Sequence, residues 1–213
     1  YFGARVDERA ALPADQRPDD LITLLVETEI DGEPLDRRHL LGTCFLLLLA
    51  GIDTTWSAIG SSLWHLATHP EDQARLRAEP DLIDSAVEEL LRVYSPVTMA
   101  REVIADVDVA GCPMKPGDKV LMSFPAANRD PAQFEDPDEF IIDRERNRHV
   151  AFGSGIHRCL GSNLARMELR VAIQEWLTRI PTFELADPAA VTWTGGQVRG
   201  PRTIPVRWSA TQP

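Results

Sequence analysis

A chain of 213 residues with 44% hydrophobic side chains, five Trp and seven Phe can bury a core, which excludes disorder along its whole length. Its 33 acidic and 22 basic residues give a formal net charge of −11. That balance argues against binding nucleic-acid phosphates and fits neutral small molecules, or proteins met through a local basic patch.

The opening Tyr1-Phe2-Gly3-Ala4-Arg5 has neither a Met nor a signal-peptide pattern and reads as mid-element, which suggests a fragment or processed form. Residues 12–18 read as a linker-like loop. Asp19 or Asp20 then caps a short helix to about Glu29, which Asp31-Gly32-Glu33-Pro34 breaks. Asp36 caps the next helix, from Arg37 to about Thr68, where His69-Pro70 stops it; at 1.5 Å per residue it is about 48 Å long. Its Leu46-Leu47-Leu48-Leu49 stretch is apolar all round, so the helix is expected to pass through the protein centre. The apolar run 40–52 is about 13 residues against the roughly 20 a bilayer requires, so a buried helix of a soluble protein is expected, with no membrane partner.

Pro70-Glu71-Asp72 starts a helix to about Ala78, and Asp84 another over 85–94, with Val87, Leu90, Leu91 and Tyr94 as its apolar stripe. After Ser95-Pro96 the composition turns β-prone, in short runs at 103–109 and 119–123. Gly111-Cys112-Pro113 and Lys115-Pro116-Gly117-Asp118 supply turn chemistry between them. Residues 128–143, rich in Pro and Asp, read as an irregular loop anchored by aromatics. A glycine-rich loop, 152–161, leads into a final helix from Leu160 or Gly161 to about Arg179, and 192–198 with 204–208 read as a β-hairpin. The expected fold is mainly α with small β-sheets (α+β). It divides into a helix-rich part 19–95, strands and loop 96–148, the glycine loop and final helix 149–180, and a C-terminal hairpin 181–213.

Cys44, Cys112 and Cys159 are odd in number and widely spaced, so no disulfide framework or zinc ribbon can be built from them; a reducing compartment, the cytoplasm, is expected. Cys159 stands out because glycines flank it and a helix starts beside it, where free N–H groups and the positive dipole end stabilise a thiolate. It reads as a single-thiolate metal ligand, an activated nucleophile or a buried structural thiol. No orienting His–Asp pair accompanies it, which disfavours a hydrolase. Ala50-Gly51-Ile52-Asp53-Thr54-Thr55 puts poor helix formers and a carboxylate in the middle of the apolar helix. Thr54 can bond back to the Ala50 carbonyl, so the helix is expected to be locally spoiled there, either for function or with Asp53 simply reaching solvent. Glu89 and Arg92 at i,i+3 read by themselves as a solvated surface bridge. His39, His65 and His69 read as structural or solvated, and His149 as a residue that orders the loop after it. Cys44 and Cys112 read as buried thiols.

Phe152-Gly153-Ser154-Gly155-Ile156-His157-Arg158-Cys159-Leu160-Gly161 fits the pattern Phe-x-x-Gly-x-His-x-Cys-x-Gly and resembles the haem-binding loop of the cytochromes P-450, the haem–thiolate monooxygenases. The resemblance implies the C-terminal half of that single-domain fold over 1–213, closest to the soluble bacterial type, in a family whose members are about twice as long. It implies haem b with Cys159 as the axial iron ligand, Phe152 packed near the sulfur, and Gly153 and Gly161 shaping the loop. His157 and Arg101 would face haem propionates, a contact for which a guanidinium fork is suited. Asp53 and Thr54 would relay protons, while Ala50 and Gly51 leave room beside the haem for dioxygen. Leu46, Leu49, Val97, Met99 and Val198 would line the substrate cavity, with the turn around Gly196 and Gln197. Glu89, Arg92 and Arg144 would form a buried structural network. One oxygen atom would enter a small organic substrate. Electrons would come from NAD(P)H through a separate ferredoxin-like or flavin partner, docked on a basic island at Arg158, Asn163, Arg166 and Arg170 whose alternative is pairing with Glu168 and Glu175. The rest of the site would come from the missing N-terminal half or from a second copy. The alternative is a non-catalytic haem-binding or interaction fragment.

Overall fold

The computed structural model describes residues 1–208 and separates into two compact units, one from Tyr1 to Asp53 and one from Thr54 on. In the first unit, helix α1 (Phe2–Ala11) and a 3-10 turn at Ala14–Gln16 precede helix α2 (Leu21–Glu27). Asp20 caps α2 by accepting the Thr23 N–H at 2.9 Å. α2 stops two residues earlier than expected because Glu29–Ile30 (β1) pairs with Glu33–Pro34 (β2). The two-residue turn between them places Asp31 at φ 55° and Gly32 at φ 82°, the left-handed pair that a tight hairpin requires. Val6, Leu40 and Cys44 form the small core, with Phe2, Ile22, Leu25 and Val26 packed on it.

Helix α3 (Arg37–Thr68) starts where Asp36 Oδ1 accepts the His39 N–H at 2.7 Å. It runs uninterrupted through Ala50–Thr55, so the expected spoiling at that point does not occur. A lone Gly costs about 1 kcal/mol in a helix interior, which a run of 32 residues absorbs. The expected burial of its apolar stretch is also corrected: Phe45, Leu46, Leu49 and Ile52 are all more than half exposed, because the described chain supplies no layer over them. By length and composition alone α3 is the one helix among the described residues able to cross a membrane, a test that interior helices of soluble proteins also pass.

The second unit begins with the other half of α3, whose Ser57, Ala58, Ser61, Ser62, Leu66 and Ala67 are buried. Helix α4 (Pro70–Ala78) has Pro at its first position, and a 3-10 turn at Pro80–Leu82 leads into α5 (Ile83–Val93), so Leu82 rather than Asp84 stands at its start. Strand β3 (Thr98–Glu102) pairs antiparallel with β6 (Lys119–Ser123), and β4 (Val107–Val109) with β5 (Cys112–Met114) between them. Helix α6 (Phe124–Ala127) opens the irregular segment that ends at the glycine loop, and α7 (Ser162–Arg179) follows. Leu169, Ile173 and Leu177 of α7 meet Leu66, Leu76, Val87 and Leu90 in the main core.

The tail departs from expectation. Thr192–Thr194 (β8) pairs with Gly200–Thr203 (β9), whereas Val206–Trp208 (β10) pairs with Phe183–Leu185 (β7). β9 lies hard against α3: a Cβ on Gly200 would sit 2.4 Å from the Ser57 Cβ and 2.8 Å from its Cα. Gly200→Ala is therefore expected to cost about 2–4 kcal/mol by overpacking, measured by urea unfolding, with partial recovery in Gly200→Ala/Ser57→Gly.

His65 and His69 are held rather than solvated. His65 Nε2 lies 2.8 Å from Asp72 and Nδ1 2.8 Å from the Tyr94 hydroxyl; burial depresses its pKa to about 3, so the ring is neutral. His69 stacks on it, 4.1 Å between ring centres.

Candidate active site

The loop before α7 is shaped by its own main chain. The Gly153 N–H donates to Val150 O at 2.8 Å, Arg158 N–H to Gly155 O at 3.1 Å, and Cys159 N–H to Phe152 O at 2.8 Å. The last bond folds 152–159 back on itself and sets Cys159 just ahead of α7. Gly153 at φ 69° and Gly155 at φ 64° occupy the left-handed region, where a Cβ costs roughly 1–2 kcal/mol. Gly161 stands at the start of α7 and no side chain caps the helix, so its positive dipole end begins three positions after Cys159.

Cys159 is exposed and free, which overturns the buried structural reading; Cys112, expected to be buried, is exposed too, and only Cys44 is buried. Ile156 is 98% and Leu160 89% exposed, and nothing lies within 4 Å of where a Gly161 Cβ would stand. Among the described residues no group of three or more His, Cys, Asp or Glu could hold a metal ion. Cys159 thus stands outside any such cluster among the described residues. A lone thiol beside exposed apolar side chains and open space over a glycine meets the needs of a flat, apolar iron macrocycle. The residues fit haem.

Behind the loop, α5 presents two adjacent carboxylates with separate tasks. Glu89 is fully buried and accepts from Arg92 Nε (2.8 Å) and Nη2 (2.7 Å), Arg144 Nε (3.0 Å), the Ile141 N–H (3.0 Å) and Asn147 Nδ2 (3.0 Å). Burial pushes its pKa up, but the Arg92 bond, the Ile141 N–H and the cationic neighbours outweigh it and hold the carboxyl below its usual range. Arg92 also donates to three main-chain carbonyls, Asn128 O (2.9 Å), Pro137 O (2.6 Å) and Glu139 O (2.7 Å). The solvated-bridge reading of Glu89–Arg92 is thus replaced by a buried one. Asn128 carries the network to the loop: its Oδ1 accepts the Val150 N–H at 2.7 Å.

Glu88, which the sequence reading passed over, accepts from Arg166 Nε (2.6 Å) and Nη2 (2.9 Å) and lies 3.0 Å from His149 Nε2. Its only sequence signal is adjacency to Glu89. Burial raises its pKa, and the bonds from His149 and Arg166 more than reverse this, to about 2. A depressed carboxyl contributes stability above its unfolded value of 4.5 and loses it as pH falls through about 2. The stability gap between wild type and Glu88→Gln is therefore expected to be constant above pH 4.5 and to close towards pH 2, as read by urea unfolding across pH.

Arg166 and Arg170 are committed to α5 rather than to Glu168 and Glu175: Arg166 pairs with Glu88, and Arg170 approaches Asp84 at 3.8 Å. Arg158 and Asn163 are exposed, and Arg158 has no ion pair among the described residues, so the expected basic island reduces largely to that one side chain. His157 and Arg101 are exposed as well; Arg101 donates to Ala100 O at 2.9 Å. Val97 bridges to Val198, the Thr98 N–H donates to Gln197 O at 3.0 Å, and Gln197 Nε2 reaches the Met99 sulfur at 3.7 Å. These contacts bring Val97, Met99 and Val198 together. In the first unit Leu46, Leu49, Ala50, Gly51 and Asp53 lie along one stretch of α3, all exposed, so Asp53 meets solvent in this chain; Thr54, the next residue, is half-buried.

The family model for cytochrome P450 matches residues 4–188. The chain is 39% identical over 206 residues to probable cytochrome P450 127A1 of Sinorhizobium fredii, covering 97% of this chain and 50% of that protein. It is 39% identical to mycinamicin IV hydroxylase/epoxidase of Micromonospora griseorubida, covering 98% and 53%. The solved structure of cytochrome P450 CYP101C1 superposes with a TM-score of 0.90 at 40% identity, over 99% of this chain and 53% of that one. The chain thus spans about half the length of the relatives it matches. With a family match over most of its residues and a fold shared at that level, the chain belongs to the cytochrome P450 family.

Proposed function

We propose that the complete protein is a haem–thiolate monooxygenase that inserts one oxygen atom of dioxygen into a small organic substrate. The observation that carries this reading is the exposed Cys159 thiol on a glycine-shaped loop at the uncapped start of α7. Bound haem b supplies the iron that activates dioxygen, and a thiolate ligand favours O–O cleavage. Cys159 holds the iron, Gly153 and Gly161 keep the loop close to it, and Phe152 backs the sulfur. His157 and Arg101 neutralise the propionates. Asp53 and Thr54 pass protons inwards from solvent, and Ala50 and Gly51 leave room for dioxygen beside them. Leu46, Leu49, Val97, Met99 and Val198 form apolar walls for the substrate. Glu89, Arg92 and Arg144 hold the core under the loop.

The exposed apolar face of α3 is, in this reading, an interior surface of the complete protein, covered by the half of the family fold that this chain does not span. That makes α3 a core helix rather than a bilayer span and the protein cytoplasmic. Electrons arrive from NAD(P)H through a ferredoxin-like or flavin protein, with Arg158 the side chain still free to receive an acidic partner. The test is a full-length protein supplied with a surrogate redox partner, labelled dioxygen and a panel of apolar substrates, with product carrying one labelled atom as the expected result. In that protein Thr54→Ala is expected to keep haem but leak reducing equivalents to peroxide, and Asp53→Asn to slow turnover by about 10²-fold or more. Product formed per reducing equivalent measures both, and wild-type rate and coupling in both variants would discard the relay.

A further inference from the structure

We propose that Glu88 is a positioning residue for the Cys159 thiolate: it clamps both ends of the loop and cancels the Arg166 charge that lies over Phe152. The inference rests on the haem–thiolate reading and deepens it by naming a residue outside the loop that sets its electronic character.

At the near end of the loop, His149 Nδ1 accepts the Ala151 N–H at 3.2 Å. With that nitrogen an acceptor, the ring proton resides on Nε2 and is donated to Glu88. One carboxylate oxygen thereby fixes the tautomer and tilt of the histidine that opens the loop. At the far end, Arg166 on α7 is gripped by both Glu88 oxygens, a bidentate pair that only a guanidinium makes. Its Cζ stands 4.6 Å from the centre of the Phe152 ring, placing the charge over that ring. Phe152 in turn supplies the carbonyl that accepts the Cys159 N–H. Three contacts in series therefore run from Glu88 to the thiol-bearing residue, and a second path of two contacts runs through His149 to Ala151.

Charge makes the arrangement more than a brace. Arg166 is held by its bond to Glu88 first, and its guanidinium lies over the ring of Phe152, the residue whose carbonyl accepts the Cys159 N–H, so its charge stands against the segment that carries the thiol. Without Glu88 its positive charge would act on the thiolate unopposed and would favour the iron form carrying the extra electron. The other charged groups nearby do not replace Glu88: Arg170 approaches Asp84 at 3.8 Å, and Glu89 is engaged with Arg92 and Arg144.

Two measurements separate bracing from charge. In the haem-free chain, hydrogen exchange of the Ala151 and Cys159 amides should speed up about tenfold in Glu88→Ala, and far less in Glu88→Gln, which keeps an acceptor oxygen. In the full-length haem-loaded protein, both variants should shift the ferric–ferrous equilibrium roughly tenfold towards ferrous at a fixed potential, and the neutral pair Glu88→Gln/Arg166→Gln should return it close to wild type. A merely structural role predicts no shift in Glu88→Gln and a worse, not a restored, double variant; either result overturns the charge role, and unchanged amide exchange in Glu88→Ala overturns the clamp. If wild type itself lacks a thiolate-type spectrum, the haem reading fails instead, and the exchange measurement still decides whether Glu88 orders the loop.

Discussion

Cys159→Ala in the full-length, haem-loaded protein is expected to abolish the thiolate-type Soret band of the reduced, carbon monoxide-bound form. Cys44 is buried in the core of the first unit, and Cys112 lies on the β4–β5 hairpin, outside the glycine loop. Only Cys159 combines exposure, a loop closed by its own N–H on Phe152 O, and the open N-terminus of α7. Cys159→His should give at best a nitrogen-ligated haem with a shifted band, because imidazole cannot supply the negative sulfur. Cys112→Ser should leave the spectrum unchanged, and Cys44→Ala should change stability rather than spectrum. A thiolate band persisting in Cys159→Ala would transfer the ligand to another residue.

The largest effect on stability is expected from Glu89→Ala. The substitution leaves the fully buried Arg92 guanidinium and the nearly buried Arg144 facing each other with no counter-charge. Arg92 would retain its three carbonyl acceptors, but those neutral dipoles cannot replace an anion at that depth. Breaking a buried pair by removing one partner costs about 3–5 kcal/mol, a large part of the ~5–15 kcal/mol that holds a typical domain together. Glu89→Gln keeps the shape and the acceptor oxygen facing the Ile141 N–H and should fall between wild type and Glu89→Ala. Urea unfolding should rank the three in that order, and a loss below about 1 kcal/mol for Glu89→Ala would mean that water reaches the cluster.

Features legible from the sequence were those written in strong local chemistry. Asp36 before the apolar run and His69-Pro70 after it gave the bounds of α3, and Pro70 the start of α4. The glycine loop was readable because no ordinary helix or strand needs that spacing. The tail was misassigned because its strands are three or four residues long, too short to show alternation, and β10 pairs with β7 some twenty residues back rather than with the nearer β8. Burial of α3 was misjudged because an apolar stretch states a demand for cover, and what meets that demand is tertiary. Glu88 stayed hidden because its partners, His149 and Arg166, lie 61 and 78 positions away, distances at which a charge pattern in one helix carries no information.

The irregular segment between α6 and the glycine loop is held chiefly through its backbone. Arg92 grips the carbonyls of residues 128, 137 and 139, and Arg144 those of 135, 136 and 139. Every amino acid carries that oxygen, so the grip does not depend on which side chains stand at 135, 136 and 139. At 135 and 139 the path of the chain and the spelling of the chain are thereby uncoupled, so substitutions can accumulate there while the segment keeps its course; Asp136, at φ 44°, is the exception, because few side chains tolerate the left-handed region. Half of the information that fixes this stretch is thus stored elsewhere, in a carboxylate and a guanidinium on α5, and half in the segment's own Arg144.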